Sequence, residues 1–173
     1  MQKPIINIEN IQLQARPPAL SPSGEAAERY DSKMGFIGPQ IGAKLLGYNI
    51  TELPPGKRAF PFHNHRVNEE MFFVLEGQGD IRIGKEIFEI QKGDFVACPP
   101  GGEETAHQII NSSEGVLKFL AVSTKMSPEI AEYPDSGKFG ILAEFKPDRQ
   151  EDRPKRYRFV SRETESLDYW EGE

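Results

Sequence analysis

From Leu45 to Val122 the chain alternates short apolar-rich runs with turn signals, a rhythm that predicts strands rather than helices. Leu45 to Leu53 is one run, stopped by Pro54-Pro55-Gly56. Met71 to Leu75 is a second, stopped by Gly77-Gln78-Gly79. Ile81 to Ile83 and Ile87 to Ile90 flank Gly84-Lys85, a two-residue hairpin with glycine first. Phe95 to Cys98 runs up to Pro99-Pro100-Gly101-Gly102, and the stretches His107 to Ile110 and Leu117 to Val122 follow. This spacing predicts an antiparallel sandwich or barrel. Residues 1–36 read as an N-terminal arm in which Ile5, Ile6 and Ile8 enter a strand, and 37–127 as the barrel. Residues 128–173 read as a C-terminal extension, opening with a helical turn over Pro128 to Tyr133 and ending in a tail.

One strand carries more than the alternation requires. In Glu70-Met71-Phe72-Phe73-Val74-Leu75 both faces are apolar after Glu70, whereas a strand wet on one side shows polar residues there. Either the N-terminal arm or a second subunit must cover the outer face, so a homodimer is expected.

Composition narrows the class. A net charge of −6 argues against nucleic acid or an anionic membrane as partner, and the basic residues from Lys146 to Arg162 are interleaved with acidic ones. There is no apolar run long enough to cross a membrane and no signal-peptide pattern at Met1. The single Cys98 excludes an internal disulfide and fits a reducing compartment, so a cytoplasmic protein is expected.

The candidate chemistry lies in the histidines. His63-Asn64-His65 sets two imidazoles on the same face of a strand, where both can address one ion. Glu70 opens the next run and can add a carboxylate, with Glu69 as its immediate rival. Its place before Met71-Phe72-Phe73 and its distance from Gly77 favour Glu70. His107, from a later strand, completes the set. Imidazole with carboxylate suits one divalent transition metal, and zinc, manganese, iron, nickel and copper all remain open. Four protein ligands around a six-coordinate ion leave room for water or substrate.

These residues fall into two motifs that resemble those of the cupin superfamily. The first comprises Gly56, His63-x-His65, Glu70 and Gly77; the second comprises Gly93-Asp94, Pro99-Pro100-Gly101, His107 and Asn111. The resemblance implies an all-β double-stranded β-helix, a jelly-roll barrel that is often dimeric, with His63, His65, Glu70 and His107 as metal ligands. Six residues separate Gly56 from His63 and five separate Gly101 from His107, both longer than usual for the family. Both insertions fall in loops and bear on loop shape rather than on ligation.

Around this set, Asn111 serves either to orient a ligand histidine or to form a turn, and Cys98 reads as a small buried hydrophobe. Phe72, Val74, Phe95 and Ile109 are expected to line the interior, and Lys57 and Arg58 read as solvated loop charges. Three functions fit: a Lewis-acid metal acting on a sugar or hydroxy-carbonyl compound, an iron or copper dioxygenase, and a non-catalytic module that binds a small ligand. Tyr133-Pro134-Asp135-Ser136-Gly137-Lys138 resembles a segment of sugar-phosphate-isomerase-like cupins, although no phosphate cradle is evident. All three histidines are spent on the metal, so no general base is identified, and acid–base work falls to metal-bound water, a carboxylate such as Glu69, or the substrate itself.

Overall fold

A computed structural model describes residues 3–18, 21–145 and 155–173. In chain order the strands are β1 (Gln14–Ala15), β2 (Lys33–Phe36), β3 (Leu46–Leu53), β4 (Asn64–His65), β5 (Glu70–Glu76), β6 (Gln78–Ile83) and β7 (Glu86–Gln91). They continue with β8 (Phe95–Cys98), β9 (His107–Ile110), β10 (Leu117–Thr124), β11 (Glu129–Tyr133), β12 (Lys138–Phe145) and β13 (Lys155–Ser161). Two short helices, α1 (Glu25–Arg29) and α2 (Gly38–Ile41), interrupt the N-terminal part. The strands make a six-stranded sheet, β1-β2-β3-β10-β5-β8, a three-stranded sheet, β7-β6-β9, and a four-stranded sheet, β13-β12-β11-β4. All pairings within the sheets are antiparallel, and the architecture is a double-stranded β-helix.

Alternation decides which side chains enter the barrel. On β5, Phe72 and Val74 are buried, and on β10 Leu117 and Phe119 are. With Leu53, Ile81, Ile90, Val96, Cys98 and Ile109 they form one core. Truncating a fully enclosed aromatic such as Phe72 to Ala costs about 3–5 kcal/mol. Ile83 pairs with Glu86 across Gly84-Lys85, and Gly84 has φ of 54°, as a glycine-first hairpin demands. Gly77, with φ of 80°, bends the chain from β5 into β6, and a Cβ there would collide with the Val116 carbonyl oxygen.

Three expectations need correction. Phe95 does not line the interior: it is 71% exposed on the outer face, its ring centroid 4.4 Å from that of Phe73. The helical turn over Pro128 to Tyr133 is instead strand β11, which pairs with both β4 and β12. Tyr133, Ile130 and Leu142 are only half-buried or exposed, so periodicity in this stretch carries little signal and pairing decides the conformation. Ile5, Ile6 and Ile8 enter no strand; Ile8–Asn10 is a 3-10 turn.

Within the expected tail, β12 and β13 pair from Phe139 to Phe145, while residues 146–154 lie outside the described ones. The arm touches the large sheet through Ile11 and Leu13, which sit where Gly35 leaves room on β2. It covers the β2–β3 side of the outer face, not the β5–β8 side.

Candidate metal centre

The segment from Phe60 to His65 runs across the barrel opening, held to β9 by reciprocal backbone hydrogen bonds between His63 and His107. β5 starts beside it with Glu70, whose carboxylate points inward, while Glu69 is exposed and its backbone N–H is donated to the Thr124 hydroxyl. One ligand atom each from His63, Glu70 and His107 lies within 4.8 Å of the others, a grouping that can hold a metal ion.

Glu70 Oε2 is the shared point: it stands 3.1 Å from His107 Nε2, 3.6 Å from His65 Nε2 and 3.9 Å from His63 Nε2. Ligands about 2.1 Å from one ion are about 3 Å apart at right angles and about 3.4 Å apart in a tetrahedron. The His107 and His65 spacings are close to these values, and the His63 spacing is longer. His65 sits at the rim of the set, its Nδ1 3.6 Å from the Glu129 carboxylate.

The hydrogen bonds aim the rings. His63 Nδ1 meets the Pro61 carbonyl at 2.9 Å and His107 Nδ1 meets the Thr105 carbonyl at 3.2 Å. A carbonyl only accepts, so both Nδ1 atoms carry a proton and both Nε2 atoms are turned to the site. His107 Nε2 and Glu70 Oε2 are at hydrogen-bond distance, 3.1 Å, so a proton or a metal ion stands between them. His65 makes the same point differently, because both of its ring nitrogens are buried without a hydrogen-bond partner. Buried polar atoms left unpaired are costly, and coordination through Nε2, the nitrogen that faces Glu70, satisfies one of the two. The residues therefore fit a divalent metal.

The electrostatics agree with that fit. Burial and the neighbouring His107 lower the His63 pKa to about 4, which keeps its imidazole neutral and ready to ligate. Burial works to lower the His65 pKa, but the Glu70 and Glu129 carboxylates outweigh it and the pKa is raised. Burial likewise works to raise the pKa of Glu70, yet His107 and His65 hold it well below the usual carboxylate range. Burial, with Glu70 nearby, pushes the Cys98 thiol up to about 12, so Cys98 is a core residue and no nucleophile.

The surroundings bring in residues that the sequence pattern does not mark. The Glu129 carboxylate, 5% exposed, accepts backbone N–H groups from Arg66, Val67, Asn68 and Ile130 together with the Asn68 amide. It clamps the turn that follows His65. Tyr133 stacks on His63 with centroids 6.1 Å apart, and burial raises its pKa. Phe60 packs edge-on against His63 at 5.0 Å. A cavity of about 210 Å³ opens beside the ligands, lined by Phe60, Phe72, Phe119, Asn49, Thr51 and Arg16 among others.

Asn111 is settled as a turn residue. Its amide donates to the Leu53 and Gly115 carbonyls, and its side-chain oxygen accepts from Ser113. Lys57 is not simply solvated, since its ammonium donates to the Ala27 and Glu28 carbonyls and ties down α1.

Comparisons with known proteins bear on this geometry. Residues 49–123 match the model of the cupin domain family. Over 71 residues the chain is 37% identical to an uncharacterized protein of Methanocaldococcus jannaschii, and over 65 residues 38% identical to cupincin of Oryza sativa. Those stretches cover 41% and 35% of this chain, and 54% and 14% of the two relatives, so the chain spans about half of one and a small part of the other.

Among solved structures, a sugar phosphate isomerase of the cupin superfamily from Silicibacter pomeroyi superposes with a TM-score of 0.74 at 21% identity, covering 94% of this chain and 95% of the other. A putative sugar phosphate isomerase from Acidithiobacillus ferrooxidans gives 0.70 at 22% identity, covering 90% and 92%. Likeness at this identity speaks to fold.

Proposed function

Since the chain belongs to the cupin superfamily, we propose that it holds one divalent transition metal through His63, His65, Glu70 and His107 and acts on a small sugar-like hydroxy-carbonyl compound. The observation that supports this is the tight group of His63, Glu70 and His107, with His65 Nε2 3.6 Å from Glu70, beside a cavity of about 210 Å³ that His63 and Glu70 line. A bound metal supplies Lewis acidity, polarising an oxygen of the substrate so that a neighbouring carbon gives up its proton more easily. The chain's own residues do the rest. Phe60, Phe72 and Phe119 exclude water from one side of the cavity, and Asn49 and Thr51 present polar groups to a hydroxylated ligand. Tyr133, its hydroxyl kept protonated by burial, stands beside His63 as a donor. Glu69, exposed and directed away, is not the base. The isomerase direction is supported by the names of the two similar structures and by the Tyr133–Lys138 segment, whose Tyr133 stacks on His63.

The test is exchange of substrate protons with deuterated water over a panel of aldoses, ketoses and their phosphates, run on protein whose metal content has been measured. Metal-dependent exchange with at least one sugar is the expected result. Oxygen uptake without exchange points instead to a dioxygenase, and ligand binding without either reaction points to a binding module.

The homodimer is part of the same proposal. The outer face of β5 and β8 leaves Phe95 exposed beside Phe73, and the arm does not reach it. Sedimentation equilibrium showing only monomer at micromolar concentration removes it. A cytoplasmic location is likewise proposed, on the single buried cysteine.

A further inference from the structure

Beyond the barrel mouth, a second cavity of about 550 Å³ lies between the N-terminal arm, the segment from Arg58 to Phe62 and the turn carrying Asp135 and Ser136. Four cationic side chains line it, Arg16, Arg29, Arg58 and Lys138, against one carboxylate, Asp135. That carboxylate is already engaged, for Arg82 Nη1 lies 3.0 and 2.9 Å from its two oxygens. Among the described residues none of the four cations has a carboxylate partner within 4.0 Å. A cavity whose only acid is spoken for, and whose cations are not, carries a positive potential focused by its walls.

Arg16 makes the connection to the metal centre. It lines this cavity and also the inner one, beside His63 and Glu70, and Ala59 and Phe60 border both. Its Nη2 donates to the Ala59 carbonyl at 2.6 Å, which fixes the side chain across the opening and leaves most of the guanidinium donors without an acceptor among the described residues. Half-buried and unpaired, this charge is costly; burial lowers its pKa, and the field of Asp31 only partly offsets the effect. A planar guanidinium held in this state matches the oxygens of a phosphate or carboxylate.

We propose that this outer cavity binds the anionic group, phosphate or carboxylate, of the molecule whose uncharged end enters the metal cavity, with Arg16 as the residue that spans the two. Arg58 and Lys138 add charge from the barrel and from β12, and Arg29 from α1. This gives the chain a phosphate- or carboxylate-binding site built from side chains of distant segments, without a glycine-rich loop. The proposal rests on the reading of the metal cavity as a small-molecule site.

The experiment is calorimetric titration of the metal-loaded chain, at about 0.15 M salt to screen diffuse attraction, with inorganic phosphate, with acetate, and with glucose 6-phosphate against glucose. One of the two simple anions should bind, and which of them does identifies the anionic group. Arg16→Gln and Arg58→Gln should each weaken that binding by about tenfold while metal content and melting temperature hold, with Arg16→Lys intermediate. If Arg16→Gln fails to fold, Arg58→Gln and Lys138→Gln carry the test alone. Absence of binding by either anion at about 10 mM, or unchanged affinity in the variants, overturns the proposal. If a neutral sugar exchanges protons while neither anion binds, the proposed function stands and this site falls. If an anion binds through Arg16 while no sugar reacts, the reverse holds.

Discussion

His65 Nδ1 stands 3.6 Å from the Glu129 carboxylate, so a strand beyond the matched cupin region supports a ligand of the candidate metal centre. The carboxylate does this while accepting the backbone N–H groups of Arg66, Val67 and Asn68, which fixes the exit of β4. Glu129→Gln keeps the shape but exchanges an acceptor oxygen for a donor that faces N–H groups. A loss of about 1–3 kcal/mol is expected, read as a fall in melting temperature, and Glu129→Ala should lose about 3–5 kcal/mol. Metal affinity should drop in both variants, because the Glu129 carboxylate fixes the backbone that carries His65 and sets the charge beside its ring. Wild-type stability in Glu129→Ala contradicts the clamp.

The ligand set can be tested by substitution and elemental analysis. His63→Ala, Glu70→Ala and His107→Ala should each leave the purified chain essentially free of metal, since these three lie in one tight group. His65→Ala removes the ligand at the rim, 3.6 Å from Glu70, and should also lose the ion. Full metal occupancy in His65→Ala reduces the centre to three protein ligands. Glu69→Ala, at an exposed position, should keep its metal.

Protons compete with metal at the one histidine whose pKa is raised. His63, lowered to about 4, and Glu70, lowered as well, are free of protons throughout the neutral range. His65 is raised above its ordinary 6.5, so its proton must leave as metal enters. Apparent affinity should therefore fall by about tenfold for each pH unit below that raised value, and this dependence should weaken in His65→Gln. In chelated protein the two histidines act oppositely on stability. The His65 contribution is complete below the unfolded value and is lost as pH rises through the raised one. His63 favours folding above the unfolded value and is lost as pH falls from 6.5 toward about 4. A metal affinity flat from pH 6 to 9 refutes the assignment.

Cys98 offers a measure of barrel integrity. The thiol is 3% exposed in the core and its pKa is pushed up to about 12. A thiol reagent at pH 8 should react with the folded chain far more slowly than with urea-unfolded chain, by a factor set by the opening equilibrium. Rapid labelling of the folded chain would show that the core opens readily.

The bend at Gly77 tests the fold away from the site. Its φ of 80° and the approach of the Val116 carbonyl leave no room for a Cβ. Gly77→Ala should destabilise the chain by more than about 1 kcal/mol, whereas Gly115→Ala, with open space around it, should be close to neutral.

The strands of the barrel were legible in the sequence because each is bounded by glycine or proline and carries a buried face of period two. Phe95–Cys98 and His107–Ile110 coincide with the expected runs, and Gly84-Lys85 with the expected hairpin. Glu70 was favoured over Glu69 by its place before Met71-Phe72-Phe73 and its distance from Gly77, and in the fold Glu70 opens β5 half-buried while Glu69 is exposed. His63 and His107 were legible as residue types at motif spacing. Their approach across the barrel opening, through hydrogen bonds between segments far apart in the chain, belongs to the tertiary structure.

What the sequence could not disclose depends on non-local contact. Pro128 to Tyr133 has too little apolar pattern to announce a strand; pairing with β4 and β12 makes it one. Glu129 is an ordinary acidic residue until four backbone N–H groups gather around it. Arg16, in an arm without pattern, reaches the metal cavity only because Ala59 offers it a carbonyl. The chain alone determined that a barrel forms and which residue types can hold a metal, because burial follows local alternation. Tertiary structure alone decided which charges stand unpaired around that centre, because the field at a site is the sum over groups that only the fold brings together.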